Sequence, residues 1–421
     1  MKPFKINLVI CICLSLFFFQ CSKKKENELE FWTLQLSPMF NEYIEKKIKE
    51  YERIHPGIKI KWVDIPYDAA IQKLLSSAAA GSPPDIVNLS ADYIPQFAQM
   101  KAFANPADYL NSSEINKFLP NALRAVSFKN QLCGLPWYLN TYALIYNKEL
   151  IELAGFSEKD LPKNFYELAN FVKKYKDKTG KYALAWTIGK DSFLPTALES
   201  EGMSMTDSNL TYALFNSPSS KEFFMLWIDL FKNGYISSDM VIKPASYMIE
   251  TYMSGQAALI LTGSVFLKRI KDNAPKIYEV TRIAPNIKGS TGKHDLAAMS
   301  LCVLNTCKRK KEAFEFVAFI LRPESQLEFC KLAPVFPSTI ETLKDDFFIK
   351  YDGTIESYAR ILCSKDLLSA EKLLAVKSHS RYFELKNIFE EAIQKACLKN
   401  ESLDIALDEA ALEWNKILPD N

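Results

Sequence analysis

Histidine is scarce in this chain: only His55, His294 and His379 occur in 421 residues. None is spaced as a paired-histidine zinc motif, so metal catalysis has little to draw on. His55 in its His-Pro-Gly turn and His294 beside Gly292-Lys293 read as solvated loop residues. A nucleophile elbow and a phosphate loop ending in Gly-Lys-Ser/Thr are also missing. Neighbouring acids such as Glu390-Glu391 or Asp345-Asp346 point about 100° apart on a helix. They read as charged helix faces rather than the facing pair that glycoside hydrolysis needs. The chain is therefore read as no enzyme, with no catalytic residue, no metal and no cofactor.

Charge of one sign is lacking too. Fifty-two basic residues face 50 acidic ones, a net charge of +2, and no basic excess points to nucleic acid. No stretch beyond residue 20 approaches the roughly 20 apolar residues of a membrane helix. Disulfide spacing is absent: Cys133, Cys302, Cys307, Cys330, Cys363 and Cys397 are scattered. They read as buried free thiols, with a Cys302–Cys307 bridge the alternative.

What is present begins at the N-terminus. Met-Lys-Pro-Phe-Lys precedes an apolar run from Ile6 to Phe19, then Gln20-Cys21-Ser22 and three lysines. That order reads as an export signal over 1–20, with Cys21 its lipidation site and 21–28 a charged tether. The usual lipoprotein pattern has a small residue before the cysteine, where this chain has Phe19-Gln20.

The remaining length exceeds what one core serves at roughly 100–200 residues per domain, so two lobes are expected. LEFWTL predicts a buried strand, and Phe40, Ile44, Ile48 and Tyr51 predict an amphipathic helix ended by His55-Pro56-Gly57. IKIKWVDI alternates as a strand, DAAIQKLLSSAAA predicts a helix closed at Gly81, and DIVNLS predicts a third strand. Strand, helix, strand, helix, strand at this spacing predicts parallel pairing in an open α/β sheet. Further on, GLPWYL, YALAW, AALILTG and DLAAMSLCVL predict strands among long helices, and the last hundred residues read as almost wholly helical.

Open α/β sheets bind ligands at the carboxyl ends of their strands. Those ends carry Trp32-Thr33, Asp64 to Tyr67, and Ser90-Ala91-Asp92-Tyr93. Rings mixed with hydroxyls and a carboxylate suit a sugar, whose apolar face stacks while its hydroxyls bond to the acid. GLPWYLNTYALIYNK is the densest polar and aromatic stretch, and Trp137 and Asn140 are expected in a cleft, with Tyr146 structural. Trp32 and Trp186 fit a cleft or a core equally. Trp62, Trp227 and Trp414 sit in apolar patterns and read as core.

Several segments, in order, carry a family likeness: FWT, YERIHPGIKIKWVDIPYD, QKLLSSAAAGSPPDIVNLSADYIPQFAQMKAFANPADYL, GLPWYLNTYALIYNKEL, FNSPSSKEFFMLWIDLFKNGYI, AFEFVAFILRPESQLEF and LDIALDEAALEWNKIL. From about Leu29 to Leu418 the chain resembles the extracellular solute-binding proteins of ABC sugar importers, the maltose-binding-protein-like family. The resemblance implies a type II periplasmic-binding-protein-like fold: two α/β lobes, each a mainly parallel sheet flanked by helices, with a largely helical C-terminal part. It implies a first lobe of 29–140 and 294–337, a second of 141–293 and 338–421, and hinges near Asn140–Ala143 and Lys288–His294.

Ligand contacts implied by the resemblance fall at Trp32, Leu89 to Asp92 (Ser90 included), Trp137 to Asn140, Trp186, and Gly263 to Val265. Tyr382 or Phe383 would add a ring. The family usually has Pro-Trp after the glycine, where this chain has Ser264-Val265, and an acid where it has Asn140. The implied function is capture of an extracytoplasmic mono- or oligosaccharide and delivery to the ABC permease, its transmembrane subunits and ATPase. The implied form is a membrane-anchored monomer on the periplasmic or cell-surface side. A receptor for a polyamine or glycerol phosphate, a surface glycosidase and an adhesin are the other readings.

Overall fold

The computed structural model describes residues 27–399 and 401–420. The expected signal, Cys21 and most of the tether lie outside those residues.

Twelve strands occur among the described residues. They are β1 Glu28–Leu34, β2 Lys59–Ile65, β3 Ile86–Ser90, β4 Ser127–Phe128, β5 Gln131–Leu132 and β6 Leu135–Asn140. The rest are β7 Tyr142–Asn147, β8 Tyr182–Ala185, β9 Ala257–Gly263, β10 Thr281–Ala284, β11 Ala297–Val303 and β12 Phe336–Pro337. A six-stranded sheet runs β12-β6-β11-β3-β1-β2, a four-stranded sheet runs β10-β7-β9-β8, and β4 and β5 form a hairpin.

The N-terminal segment folds as its periodicity dictates. The helix Asn41–Ile54 buries Ile44, Ile48 and Tyr51 on one face. It stops before Gly57, whose φ of +107° is open to glycine and strained for other residues. β1 pairs in parallel with both β2 and β3. Side chains on β1 alternate between two cores: Phe31 packs with the helix Asn41–Ile54, whereas Trp32 packs with Leu74, Phe97 and Phe103. Helical layers thus cover both faces of this sheet.

The expectation of mainly parallel sheets is corrected. β11 runs antiparallel to both β3 and β6, and β12 antiparallel to β6. In the four-stranded sheet β7 is antiparallel to β9 and β10, and only β8 with β9 is parallel. The cause is the crossing of the chain between the sheets. β6 lies in the first sheet and β7 in the second, with Thr141 alone between them. The chain returns after β10 and re-enters the first sheet as β11, which reverses the strand direction.

After Val303 the only strand among the described residues is the two-residue β12. The helices Lys310–Ile320, Pro323–Leu332, Ile355–Leu367, Tyr382–Leu398 and Leu403–Ile417 make up most of the remainder. The last three share one core with β7 and β9. The six cysteines of the described residues are buried free thiols, and the Cys302–Cys307 alternative is not formed. Among the described residues no helix is long and apolar enough to cross a membrane, and no group of acids, histidines and cysteines is placed to hold a metal.

Candidate ligand-binding cleft

The carboxyl ends of β1, β2 and β3 carry side chains that serve different purposes. Asp64, in β2, accepts hydrogen bonds from Thr33 Oγ1 at 2.6 Å and from the backbone N–H groups of Leu36 and Ser37 at 3.0 Å each. Both of its oxygens are thus occupied in shaping the turn after β1. Ser90 ends β3 and its Oγ accepts from the Asp92 N–H at 3.4 Å, capping the short turn Ala91–Tyr93.

Asp92 lines a cavity of about 180 Å³ at the seam. The opposite walls come from Tyr142 on β7, Asp191 to Phe193 in the loop after β8, Lys377, and Tyr382, Lys386 and Glu390 on the helix Tyr382–Leu398. Tyr382, Lys386 and Glu390 are spaced four apart and so share one helix face. Asp191 and Leu374, both on the cavity wall, have φ of +48° and +61°. Such backbone costs about 1–3 kcal/mol for a non-glycine residue and concentrates at ligand sites.

Charged side chains in the wall are paired. Lys377 Nζ lies 2.9 Å from Asp295 Oδ2 and 3.7 Å from Asp92 Oδ1. Burial works against the Lys377 charge, yet Asp295 and Asp92 hold its ammonium well above the usual lysine range. Burial likewise pushes the Asp295 carboxyl up, opposed by Lys377. Lys386 Nζ lies 2.6 Å from Asp191 and 3.4 Å from Glu390 Oε1. Burial would raise the Asp191 carboxyl, but Lys386 outweighs it and holds the group below the usual carboxylate range. Replacing a buried ion pair such as Lys377–Asp295, whose side chains are 11% and 8% exposed, by apolar residues often stabilises a protein by about 1–4 kcal/mol, so that pair is poorly explained by stability. It presents fixed donors and acceptors to whatever enters.

Aromatic rings complete the wall. Phe193 meets Tyr142 edge to face at 5.8 Å between ring centres and stacks on Trp186 at 6.2 Å. Burial pushes the Tyr142 hydroxyl up to about 12 and also raises Tyr382, so both phenols stay neutral and can donate as well as accept. Tyr93, in the turn after β3, stacks on Phe383 at 4.9 Å, and Lys372 donates to the Ala91 carbonyl at 3.1 Å. These contacts close one edge of the seam.

The residues nominated from sequence divide accordingly. Asp92 and Tyr382 line the cavity. Trp32 does not: its indole N–H donates to Glu30 at 2.6 Å, back along β1 and away from the carboxyl end, and the ring is in the core. Trp137 is 1% exposed and packs on Phe329 at 5.0 Å, so its expected cleft position is corrected to the core. Leu89 is also core. Trp186 stands behind Phe193, lining a small space of about 40 Å³ that adjoins the cavity.

Asn140 accepts from the Thr141 N–H at 3.0 Å at the crossing. A Cβ on Gly263 would lie 2.5 Å from Asn140 Nδ2, so glycine there leaves room for the Asn140 side-chain amide. Ser264 is buried and hydrogen-bonded to Cys363. Tyr138 and Val265 line a separate, more apolar space of about 350 Å³ at another part of the seam, with Leu36 and Phe329. Phe383 is occupied with Tyr93.

Trp62 and Tyr146 pack on the core and Trp227 lies within it, as read. Trp414 is equally buried, but it also backs the cavity, donating to the Leu385 carbonyl at 2.8 Å. His294 is corrected from a solvated loop to a buried site, where burial and then the Lys288 charge push its imidazole down. His55 stacks on Tyr51 at 4.2 Å. Sequence reasoning missed Tyr142, Asp191, Asp295, Lys377, Lys386 and Glu390. The spacing of Tyr382, Lys386 and Glu390 was the available signal, because one helical face carrying a ring, a cation and an acid points to a polar site.

Comparison with known proteins accords with this geometry. A protein of Brucella abortus, named provisionally as a binding protein, is 24% identical over 403 residues, covering 94% of this chain and 95% of that one. The maltotriose-binding protein of Pyrococcus abyssi is 26% identical over 244 residues, 57% of this chain and 50% of that protein. A crystal structure from Synechococcus sp. MITs9220, named provisionally as an oligosaccharide periplasmic-binding protein, superposes with a TM-score of 0.85. It is 28% identical and covers 93% of this chain and 99% of its own. The sugar-binding protein MalE of Xanthomonas citri shares the fold, with a TM-score of 0.77 at 19% identity over 93% of this chain and 98% of its own. The family pattern described as bacterial extracellular solute-binding protein matches residues 38–327. With two sheets joined by crossing strands and a polar, ring-lined cavity at their seam, the chain belongs to the bacterial extracellular solute-binding proteins.

Proposed function

We propose that this protein captures a carbohydrate outside the cytoplasmic membrane and passes it, unchanged, to an ABC permease. The observation that carries the reading is the seam cavity, whose wall Tyr142, Phe193 and Tyr382 share with Asp92 and Glu390. Rings offer flat apolar faces for sugar C–H groups, and fixed acids accept from hydroxyls. Relatives of the same fold named for maltotriose, oligosaccharide and sugar binding support it.

One relative is named for sn-glycerol-3-phosphate, and it is 24% identical over 304 residues. A phosphate would have to compete for Lys377 and Lys386, which already lie 2.9 and 2.6 Å from a carboxylate. A polyamine would meet acids already paired with lysines. Neither solute fits as well as a neutral polyol.

The reading extends to a single chain anchored through a lipidated Cys21, with lobes that bend at the crossings around Thr141 and between β10 and β11. Its test is a thermal-shift screen over mono- and oligosaccharides, with spermidine and glycerol 3-phosphate alongside. A ligand at about 100 times its Kd stabilises the folded state by about 2.7 kcal/mol. A shift with sugars and unchanged sugar recovered afterwards supports capture. A shift with spermidine or glycerol 3-phosphate alone, or turnover of the sugar, refutes it.

A further inference from the structure

Glu390 is 3% exposed, yet it stands in the cavity wall. Its Oε1 is held by the Ser192 N–H at 3.0 Å and by Lys386 at 3.4 Å. The Ser192 N–H is delivered by the preceding Asp191, the residue at φ +48°. Oε2 is different. It is buried without a hydrogen-bond partner among the described residues, and Lys190 Nζ lies 3.6 Å from it. That separation is beyond hydrogen-bond reach. Charge is therefore compensated at Oε2 while one directed donor is missing. A buried acceptor left without a donor costs most when it is charged, and nearly all such atoms in folded proteins find a partner.

We propose that Glu390 is a specificity-determining residue of the solute site, with Oε2 accepting a hydrogen bond from one particular hydroxyl of the bound sugar. The inference rests on the carbohydrate reading above. A neutral hydroxyl suits the position better than an ammonium, because Lys190 and Lys386 already supply positive charge on both oxygens. Asp92 faces the cavity from the first sheet and Glu390 from the helix Tyr382–Leu398. A sugar touching both would be gripped from the two sides of the seam.

The test pairs chemistry on the ligand with chemistry on the protein. The hexose or hexose-containing disaccharide that binds best among glucose, galactose, mannose, maltose and cellobiose is compared by calorimetry with its monodeoxy analogues. Both the wild type and Glu390→Gln are titrated. The substituted amide can keep the bond from Ser192 through its carbonyl oxygen, which leaves its NH2, a donor and no acceptor, where Oε2 stood. One analogue should lose about tenfold more affinity than the others in the wild type, and under about threefold in Glu390→Gln, as expected where the charged acceptor is gone. Analogue losses that are the same in both proteins overturn the inference and leave the carbohydrate reading standing. Failure of every sugar in the panel to bind overturns both. Should Glu390→Gln not fold, a crystal structure of the wild-type complex decides: a sugar hydroxyl within hydrogen-bond reach of Oε2 supports the inference, and none within reach overturns it.

Discussion

Asp92 and Lys377 face one another at 3.7 Å across the seam, one in the turn after β3 and the other in the segment before the helix Tyr382–Leu398. Lys377 is anchored by the closer Asp295 at 2.9 Å, so Asp92 is the looser partner and the one free to trade its ion pair for a ligand hydroxyl. Asp92→Asn keeps the shape and removes the charge. Sugar affinity should fall roughly 10- to 100-fold, because a hydrogen bond to a charged group contributes about 1.5–3 kcal/mol. Calorimetry on a variant whose circular dichroism matches the wild type checks this.

Trp32 should behave in the opposite way. Its ring packs in the core and its N–H bonds to Glu30. Trp32→Phe should lower thermal stability by about 1–3 kcal/mol through lost packing and the unpaired Glu30 oxygen, while sugar affinity stays within about twofold. A loss of affinity larger than the loss of stability, measured on the same sample, would place Trp32 in the site after all.

The acid limb of stability follows from Asp191. Burial would raise its carboxyl, but Lys386 holds it below the usual range. A carboxyl depressed in the folded state stabilises the fold above its unfolded pKa of about 3.9 and loses that contribution as pH falls through the folded value. Wild-type melting temperature should therefore drop more steeply than that of Asp191→Asn as pH falls below about 4. Equal slopes in differential scanning calorimetry would show that the Asp191–Lys386 pair adds nothing to folding.

At the crossing, Gly263→Ala places a Cβ 2.5 Å from Asn140 Nδ2. The substitution should destabilise by about 1–3 kcal/mol, as overpacking does, and Asn140→Ala should relieve most of it. Urea unfolding of both single variants and the double variant measures the coupling.

The parallel core β3-β1-β2 and its helices were legible because amphipathic spacing and turn residues act over short distances. Reading β7 apart from β6 was harder: LPWYLNTYALIYN looks like one run, and only the tertiary crossing at Thr141 divides it between two sheets. The antiparallel β11 was likewise legible as a strand but not in direction. Tryptophans misled where composition stood in for geometry. Trp137 sits in a polar stretch, yet strand alternation turns it inward while Tyr138 turns to the seam. The ion-pair chain of Asp92, Lys377 and Asp295 joins residues from distant parts of the chain, which no local pattern encodes.

The central claim is that the seam cavity holds a sugar, and the most direct measurement is a crystal structure grown with the sugar that gives the largest thermal shift. Density for the sugar should lie between Asp92 and Glu390, with a ring face against Tyr382 or Phe193. Sugar bound instead in the apolar space beside Tyr138 and Val265, or an empty cavity at proven saturation, would contradict the account.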